Sequence, residues 1–281
     1  KTENGSEKRE RKDVLWLTSY NRKFSYYQLS RFPIYRHFAN KPTAEDRKGD
    51  NGFYIPINAS LGKLGNGILA EKIFDHFFDK AGHIFRLPAC PCRSIYSCEN
   101  HDIGNGCMQL GDGTLDIENP NERGRFITAD EAKQTLRDAV TDGLIPLLGR
   151  SEGEARGFGV KDKDHFLTTC YCCECCCTNG YAITEGTSEN IHDFSRLPGL
   201  SLTVDHDTCI GCGKCLKICR FRGVKIENRK AVIQDRCLGC GRCEAVCPTG
   251  AISFVLESEE TMVEEAIAQL ESIVDVSPQR R

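Results

Sequence analysis

The distribution of cysteine constrains this chain more than any other feature. Eighteen of its 281 residues are cysteine, and they fall into three groups: four within residues 90–107, six within 170–177 and eight within 209–247. Secreted disulfide proteins spread their cysteines through loops, and neighbours such as Cys172 and Cys173 have poor geometry for pairing with each other. The clustering therefore indicates metal ligands rather than disulfides.

Charge and hydropathy exclude several functional classes. The formal net charge is −3, which gives no reason to expect attraction to nucleic acid or to an anionic membrane. The sequence contains no apolar run of the roughly 20 residues that cross a bilayer. We therefore expect no membrane span and no nucleic-acid partner, and fragile clusters favour a reducing compartment, by default the cytoplasm.

The eight-cysteine group contains two copies of one motif, separated by seventeen residues. Three thiolates at two-residue spacing can wrap one corner of a [4Fe–4S] cubane when the loop between them curls its N–H groups toward the sulfurs. Glycines supply that conformational freedom in both copies. The motifs are Cys209-x2-Cys212-x2-Cys215-x3-Cys219 and Cys237-x2-Cys240-x2-Cys243-x3-Cys247-Pro248, with Gly211, Gly213, Gly239 and Gly241 in the loops.

The fourth cysteine of each motif is expected to serve the other cluster, as in two-cluster ferredoxins. A pair of zinc sites is the alternative, but zinc sites usually consist of two separated CxxC pairs and need no third closely spaced cysteine. In the first motif, Arg220 replaces the proline that usually follows. The predicted ligands are Cys209, Cys212, Cys215 and Cys247 for cluster one, and Cys237, Cys240, Cys243 and Cys219 for cluster two.

The other ten cysteines are candidate ligands of one or two further iron–sulfur centres of uncertain type. Cys90 and Cys92 would share one face of an extended segment, with Cys98 and Cys107 in a loop able to fold back toward them. Arg93 could balance the charge of a cluster, although an ordinary surface arginine is the commoner case. Among the seven histidines, His101 is the one placed between candidate ligands.

The six-cysteine block must be divided between sites, because adjacent side chains diverge in any regular backbone. Its members either feed two centres together with the first group, or surround one larger polynuclear cluster. Ten thiols would fill two cubanes and leave two over, which could bridge metals or act as a redox dithiol. The block consists of Cys170, Cys172, Cys173, Cys175, Cys176 and Cys177.

Periodicity predicts an α+β fold with a helical, cysteine-bearing N-terminal domain. Helices are expected near residues 67–80, after the capping box of Thr128 and Glu131, and from Val263 to Val274. Residues 150–159 are interpreted as an exposed connection. The predicted organisation is an N-terminal arm (1–60), a helical domain (61–165), a cysteine block and linker (166–200), a two-fold ferredoxin domain (201–256) and a C-terminal helix (257–281).

The chain resembles a family of cysteine-rich iron–sulfur proteins common in anaerobic bacteria and archaea. In that family a segment like ACxCR and a block like CNCCGCCC precede a bacterial-type ferredoxin domain. The matching text here is Ala89-Cys90-Pro91-Cys92-Arg93 and the CYCCECCC of Cys170–Cys177, in which Glu174 replaces the usual glycine. The resemblance covers about residues 61–256 and implies a redox protein that holds clusters in both halves.

These features predict a protein that relays single electrons through two C-terminal [4Fe–4S] clusters to or from an N-terminal centre and a partner oxidoreductase. The alternative is a low-potential reductase whose ten N-terminal cysteines hold a catalytic polynuclear cluster. A third possibility, a redox-sensing regulator whose basic aromatic arm contacts nucleic acid, is disfavoured by the net charge.

Overall fold

The computed structural model describes residues 51–56, 69–177 and 194–279. Most of the predicted N-terminal arm and of the linker before Gly199 lies outside these residues. All eighteen cysteines lie within them, and each is a free thiol.

The longest helices of the N-terminal part form where the sequence predicts them. Helix α1 spans Leu69–Lys80 and buries its apolar stripe. Helix α4 spans Ala129–Thr141 and begins at the predicted capping box, in which the Thr128 hydroxyl accepts from the Glu131 N–H and the Glu131 carboxylate accepts from the Thr128 N–H. The shorter helices are α2 (Pro91–Ile95), α3 (Pro120–Arg123) and α5 (Glu152–Phe158), with 3-10 turns at Asp112–Asp116 and Lys163–His165.

A mixed sheet accompanies these helices. Within the described residues it has seven strands in the order β4-β2-β3-β6-β5-β1-β7. Neighbours are antiparallel except β1 and β7, which run parallel. The strands are β1 (Asn51–Tyr54), β2 (Ile84–Arg86), β3 (Met108–Leu110), β4 (Arg125–Ile127), β5 (Ile145–Arg150), β6 (Leu167–Cys172) and β7 (Phe194–Ser195).

The prediction of a helical N-terminal domain is therefore wrong in leaving out a sheet. Strands β2, β3 and β4 have three residues each, too few for an alternating pattern to be read. Strand β1 belongs to a segment assigned to the arm, and β6 belongs to a segment assigned to the cysteine block and linker. The sheet thus holds Cys170 and Cys172 on one of its inner strands.

The segment 150–159, predicted as an exposed connection, is also different. It contains α5, whose Ala155 and Phe158 are buried. The Ser151 hydroxyl caps this helix by accepting from the Glu154 N–H. The prediction was wrong because the segment is rich in glycine and charged residues, and its two buried apolar residues are too few to give a helical pattern.

The C-terminal helix α8, Glu259–Glu271, packs on α1 rather than standing apart. Its Met262, Ala266 and Leu270 join the same apolar core as Ile73 and Phe77 of α1. Ion pairs along the seam join Lys72 to Glu259, and both His76 and Lys80 to Glu271. The predicted C-terminal helix thus covers part of the apolar core of the N-terminal half.

The C-terminal repeat follows the predicted order of strand, cysteine loop, short helix and strand, twice. The first unit has β8 (Leu200–Val204), α6 (Lys214–Ile218) and β9 (Val224–Glu227), and the second has β10 (Lys230–Ile233), α7 (Arg242–Ala245) and β11 (Ile252–Leu256). The antiparallel pairs are β8 with β11 and β9 with β10, so each pair joins the two units. Asn228 and Arg229 turn between them with φ of 47° and 62°.

Among the helices that the structure describes, none has the length and apolar character needed to cross a membrane.

Candidate metal centres

The C-terminal repeat brings its cysteines together in two quartets. The first quartet lines a cavity of about 310 Å³, where Pro248 also contributes. Its members are Cys209, Cys212, Cys215 and Cys247. Cys212 is exposed, whereas Cys209 and Cys215 are buried. The last cysteine of the second motif therefore lies with the first three of the first motif, in the arrangement expected for crossed ligands.

The second quartet is formed by Cys219 and the first three cysteines of the second motif. Burial raises the pKa of Cys243, and the neighbouring thiols of Cys240, Cys237 and Cys219 raise it further. Burial likewise raises the pKa of Cys237 and of Cys240, again with Cys219 acting on both. Buried thiols this close together resist ionisation unless a cation shares their charge, so the quartet suits a metal centre.

In each quartet, backbone N–H groups donate to two cysteine sulfurs, one from each motif. Such donors offset the negative charge of metal-bound thiolates. The glycines of the loops make these turns possible, with left-handed φ of 66° at Gly211, 74° at Gly213, 68° at Gly239 and 80° at Gly241. The bonds are Ala231 N to Cys209 Sγ (3.4 Å), Ala251 N to Cys247 Sγ (3.3 Å), Gly223 N to Cys219 Sγ (3.2 Å) and Gly239 N to Cys237 Sγ (3.5 Å).

This part of the chain matches a known family. Residues 202–254 match the model of the 4Fe-4S dicluster domain. A curated relative, Ferredoxin-2 of Desulfomicrobium norvegicum (strain DSM 1741 / NCIMB 8310), is 47% identical over 34 residues, which are 12% of this chain and 58% of the ferredoxin. No solved structure matches the chain. The dicluster domain supports iron–sulfur electron transfer as the chemistry of residues 202–254.

Outside the dicluster domain, the ten remaining cysteines form two groups. The larger, here called the six-cysteine cavity, is a partly open cavity of about 510 Å³ between α2, β6 and the loop before β3; Glu154 and Cys173, which also belongs to the smaller group, line it as well. Cys170 Sγ lies 3.4 Å from Cys107 Sγ. Hydrogen bonds from Cys107 and Cys92 hold the pKa of Cys90 well below its usual range. The six thiols are Cys90, Cys92, Cys107, Cys170, Cys172 and Cys177.

The smaller group, here called the four-cysteine site, consists of Cys98, Cys173, Cys175 and Cys176. Their sulfurs all lie within 4.8 Å of one another. Cys98 Sγ is 3.6 Å from Cys175 Sγ, which is 3.5 Å from Cys176 Sγ. The six cysteines of the block thus divide between two groups, each of which includes members of the Cys90–Cys107 set.

Cys90 and Cys92 do not share an extended segment as predicted. Cys90 is the N-cap of α2, and Cys92 lies in the first turn of that helix. Pro91 at the first helical position has its φ fixed near the helical value, which favours helix initiation there. The two thiols still line the same cavity.

Arg93 is a buried residue of this site and not a surface arginine. Its side chain is 0% exposed, and the guanidinium donates to three carbonyl oxygens, those of Asp102 (2.9 Å), Tyr171 (2.7 Å) and Asn105 (2.5 Å). Burial alone would lower the pKa of Arg93, but the thiols of Cys90 and Cys107 raise it above its usual value. Arg93 therefore places a fixed positive charge beside the six-cysteine cavity.

A second buried arginine joins the cavity to the dicluster domain. Arg242 donates to the carbonyl oxygen of Cys172. Burial opposes its charge, whereas the thiols of Cys240, Cys172 and Cys177 raise its pKa. Arg242 thus lies between the second quartet and two thiols of the cavity.

Aromatic residues fill the rest of this junction. Tyr54 of β1 is 0% exposed, and its ring centroid is 4.8 Å from that of Phe221, two residues after Cys219. Burial, followed by the thiols of Cys172 and Cys177, raises the pKa of Tyr54 well above its usual value. Its hydroxyl has no hydrogen-bond partner among the described residues.

Of the residues that surround the cysteine groups, the sequence indicated His101 but not Tyr54 or Arg242. His101 lies beside the four-cysteine site, with Nε2 3.1 Å from the Glu174 carboxylate and Nδ1 3.0 Å from the Asp142 carbonyl oxygen. Tyr54 and Arg242 carried no sequence signal, because their roles depend on contacts with segments that are distant in the chain, at Phe221 and Cys172 respectively. The aromatic–basic pattern before residue 51 lies outside the described residues.

Proposed function

We propose that this chain is an electron-transfer protein that passes single electrons between the dicluster domain and a centre in the six-cysteine cavity, and exchanges them with a partner oxidoreductase. Two [4Fe–4S] clusters would be held by Cys209, Cys212, Cys215 and Cys247, and by Cys219, Cys237, Cys240 and Cys243. Iron–sulfur clusters, when bound, accept and release one electron at a time. The polypeptide fixes their spacing, hydrogen bonding and contact with water.

The residues fit such clusters. Each quartet combines thiols from both motifs, and N–H groups donate to the sulfurs of Cys209, Cys247, Cys219 and Cys237. These donors make the bound thiolates less negative and so favour the reduced state.

Exposure distinguishes the two quartets. Cys212 of the first quartet is exposed, and beside it Ile210 and Leu216 are 63% and 46% exposed. Lys214 and Lys217 are also exposed on the same loop and helix. Electrons tunnel most readily where a centre comes close to the surface, so this side supports the docking of a redox partner with apolar and acidic groups.

The observation that carries the proposal is the junction at Arg242. One guanidinium lies close to Cys240 of the second quartet and also to Cys172 and Cys177 of the cavity. The Tyr54 and Phe221 rings pack there and exclude water. A charge that moved across this junction would remain near the same buried cation on both sides, which limits the reorganisation that the transfer requires.

The relay can be tested by rapid freezing. Anaerobically purified chain should contain more than the roughly eight irons of two cubanes. After mixing with a reduced bacterial ferredoxin, signals from the dicluster domain should appear first in electron paramagnetic resonance spectra, followed by those of the N-terminal centre. In a Cys240→Ala variant the later signals should appear at least about tenfold more slowly, since the route through the second quartet is broken.

Thr203→Ala is the matched control, because Thr203 is exposed on β8 and its hydroxyl contacts only Ser253 among the bonds described. It should leave both phases unchanged. An N-terminal centre that is reduced at the wild-type rate in Cys240→Ala would overturn the relay, as would a chain with eight irons and no N-terminal centre.

Gly211 offers a test of the loop that holds the first quartet. A Cβ atom at this position would lie 2.1 Å from the carbonyl oxygen of Arg229, and φ is 66°. Gly211→Ala should therefore displace the loop and lower the iron and sulfide content by about four of each per chain, measured on anaerobically purified protein.

Gly213 provides the control for that change. It has a similar φ of 74°, but a Cβ atom there would meet nothing within 4 Å. Gly213→Ala should cost only the backbone strain, about 1 kcal/mol, and keep the iron. Equal iron loss in the two variants would show that the left-handed φ, and not the close approach to Arg229, explains the glycine.

A second candidate function, low-potential reduction at a catalytic polynuclear cluster, is favoured by one feature. The six-cysteine cavity offers more thiols than the four outer positions of a cubane and has the Glu154 carboxylate at its border. An iron with an open coordination position there would bind cyanide and change its spectrum, whereas fully thiolate-ligated cubanes would not respond.

A further inference from the structure

The four-cysteine site differs in its geometry from the sites of the dicluster domain. Its four sulfurs, from Cys98, Cys173, Cys175 and Cys176, all lie within 4.8 Å of one another. Throughout the described residues the other group this compact is His101, Glu174 and Cys175, so neither quartet of the dicluster domain meets the same limit. The same chain thus contains two kinds of cysteine group. In one kind the thiols line a cavity, and in the other the sulfurs lie close to one another.

That compactness can be compared with the size of a metal ion. Four thiolates around one tetrahedral ion, at metal–sulfur distances near 2.3 Å, stand about 3.8 Å apart. The measured separations of 3.6 Å and 3.5 Å are close to this edge length. Thiolates on the outer corners of a four-iron cage stand further apart, since the cage itself lies between them.

We propose that Cys98, Cys173, Cys175 and Cys176 bind a single tetrahedral divalent ion, Zn²⁺ or Fe²⁺, without inorganic sulfide. Such a centre is separate from the clusters proposed above and does not depend on the relay. It would join the loop after α2 to the end of the cysteine block, two segments that are distant in sequence.

Local hydrogen bonds suit a metal-bound tetrathiolate. The Cys176 N–H donates to Cys173 Sγ at 3.2 Å, three residues apart in a tight turn. Four ionised sulfurs at this spacing would repel each other strongly, and one dicationic centre removes that repulsion.

Outer contacts hold the site rigid and connect it to the dicluster domain. Arg220, which stands where ferredoxin motifs usually have proline, donates through Nε to the Glu174 carbonyl oxygen and through Nη2 to that of Cys175 at 3.4 Å. The Glu174 carboxylate in turn contacts His101. Ligand turns supported in this way are typical of ordered metal sites.

The test is a comparison of metal with acid-labile sulfide in the full chain, purified without oxygen. Cys98→Ser should lose one zinc or one iron per chain and no sulfide, because it removes a ligand of a sulfide-free site. Cys212→Ser is the control and should lose iron and sulfide together, about four of each if its cubane is not retained. Elemental analysis decides between the two metals.

A measurement on the wild-type chain keeps the proposal testable if Cys98→Ser does not fold. If the ion is zinc, X-ray absorption at its edge should show four sulfurs near about 2.3 Å and no neighbouring metal. If it is iron, Mössbauer spectra should include one high-spin ferrous tetrathiolate component outside the clusters. Loss of four irons with four sulfides from Cys98→Ser, or a short metal–metal distance at every metal in the wild type, would overturn the single-ion site while leaving the relay intact.

Discussion

Replacing Cys219 with alanine should remove about four irons and four sulfides from the chain, and they should be those bound by the second motif. Cys219 follows α6 in the first motif, yet its side chain lies with the cysteines of the second motif. Its thiol raises the pKa values of Cys237, Cys240 and Cys243. A single variant cannot show this, because losing either cluster removes the same number of atoms.

Pairs of substitutions make the assignment. Cys219→Ala combined with Cys240→Ala should lose no more iron than either alone, about four per chain, since both remove ligands of one cluster. Cys219→Ala combined with Cys212→Ala should lose about eight. Iron and sulfide analysis under anaerobic conditions provides the measurement, and the N-terminal iron stays as the internal reference.

The reverse pattern would mean that each motif holds its own cluster. In that case the double variant with Cys212 would lose four irons and the one with Cys240 eight. Cys247 gives an independent repeat of the experiment, because it lines the cavity of the first quartet although it belongs to the second motif. Its pairing with Cys212 should be non-additive and its pairing with Cys240 additive.

The dicluster domain could be predicted from sequence because its information is local. Ligand spacing, the loop glycines and the order of strand, loop, helix and strand are all set within single units, residues 200–227 and 230–256, where chain geometry fixes the outcome. The structure accordingly has the predicted two-fold repeat. Helices α1 and α4 were predictable for the same reason, since each has a full apolar stripe.

Local sequence patterns were not sufficient to predict the N-terminal half. Its strands are too short to carry a period, and the division of ten cysteines into six and four depends on which loops meet across the sheet. Spacing predicts that adjacent residues such as Cys172 and Cys173 diverge, but it cannot show which cysteines of residues 90–107 join each group. Arg93 was expected to be a surface residue, because whether an arginine is buried depends on carbonyl groups supplied by distant segments.

Arg93 is also the side chain whose loss should most disturb the N-terminal half. Arg93→Met keeps an unbranched apolar stem but removes the guanidinium, and so leaves the Asp102, Tyr171 and Asn105 carbonyl oxygens without their donor. It also removes the positive charge beside Cys90 and Cys107. Because removing one partner from a buried charged network typically costs about 3–5 kcal/mol, the variant should unfold at a clearly lower temperature.

Two further variants separate packing from charge and geometry. Arg125→Met is the matched control, since the Arg125 side chain is 57% exposed and water screens its ion pair with Glu131, so its loss should change the unfolding temperature little. Arg93→Lys keeps the charge but cannot reach three carbonyl groups at once, so its stability should lie between Arg93→Met and the wild type. Thermal unfolding followed by circular dichroism measures all three.

The iron content of the same proteins tests whether the positive charge of Arg93 stabilises iron bound by the N-terminal cysteines. If the guanidinium balances bound thiolates, Arg93→Met should lose iron from the N-terminal half, Arg93→Lys should keep most of it, and both should keep the dicluster signals. Should Arg93→Met bind as much iron as Arg125→Met, the buried charge would serve folding alone, and the thiols of the six-cysteine cavity would need another source of compensation, for which Arg242, which interacts with Cys172 and Cys177, is a candidate.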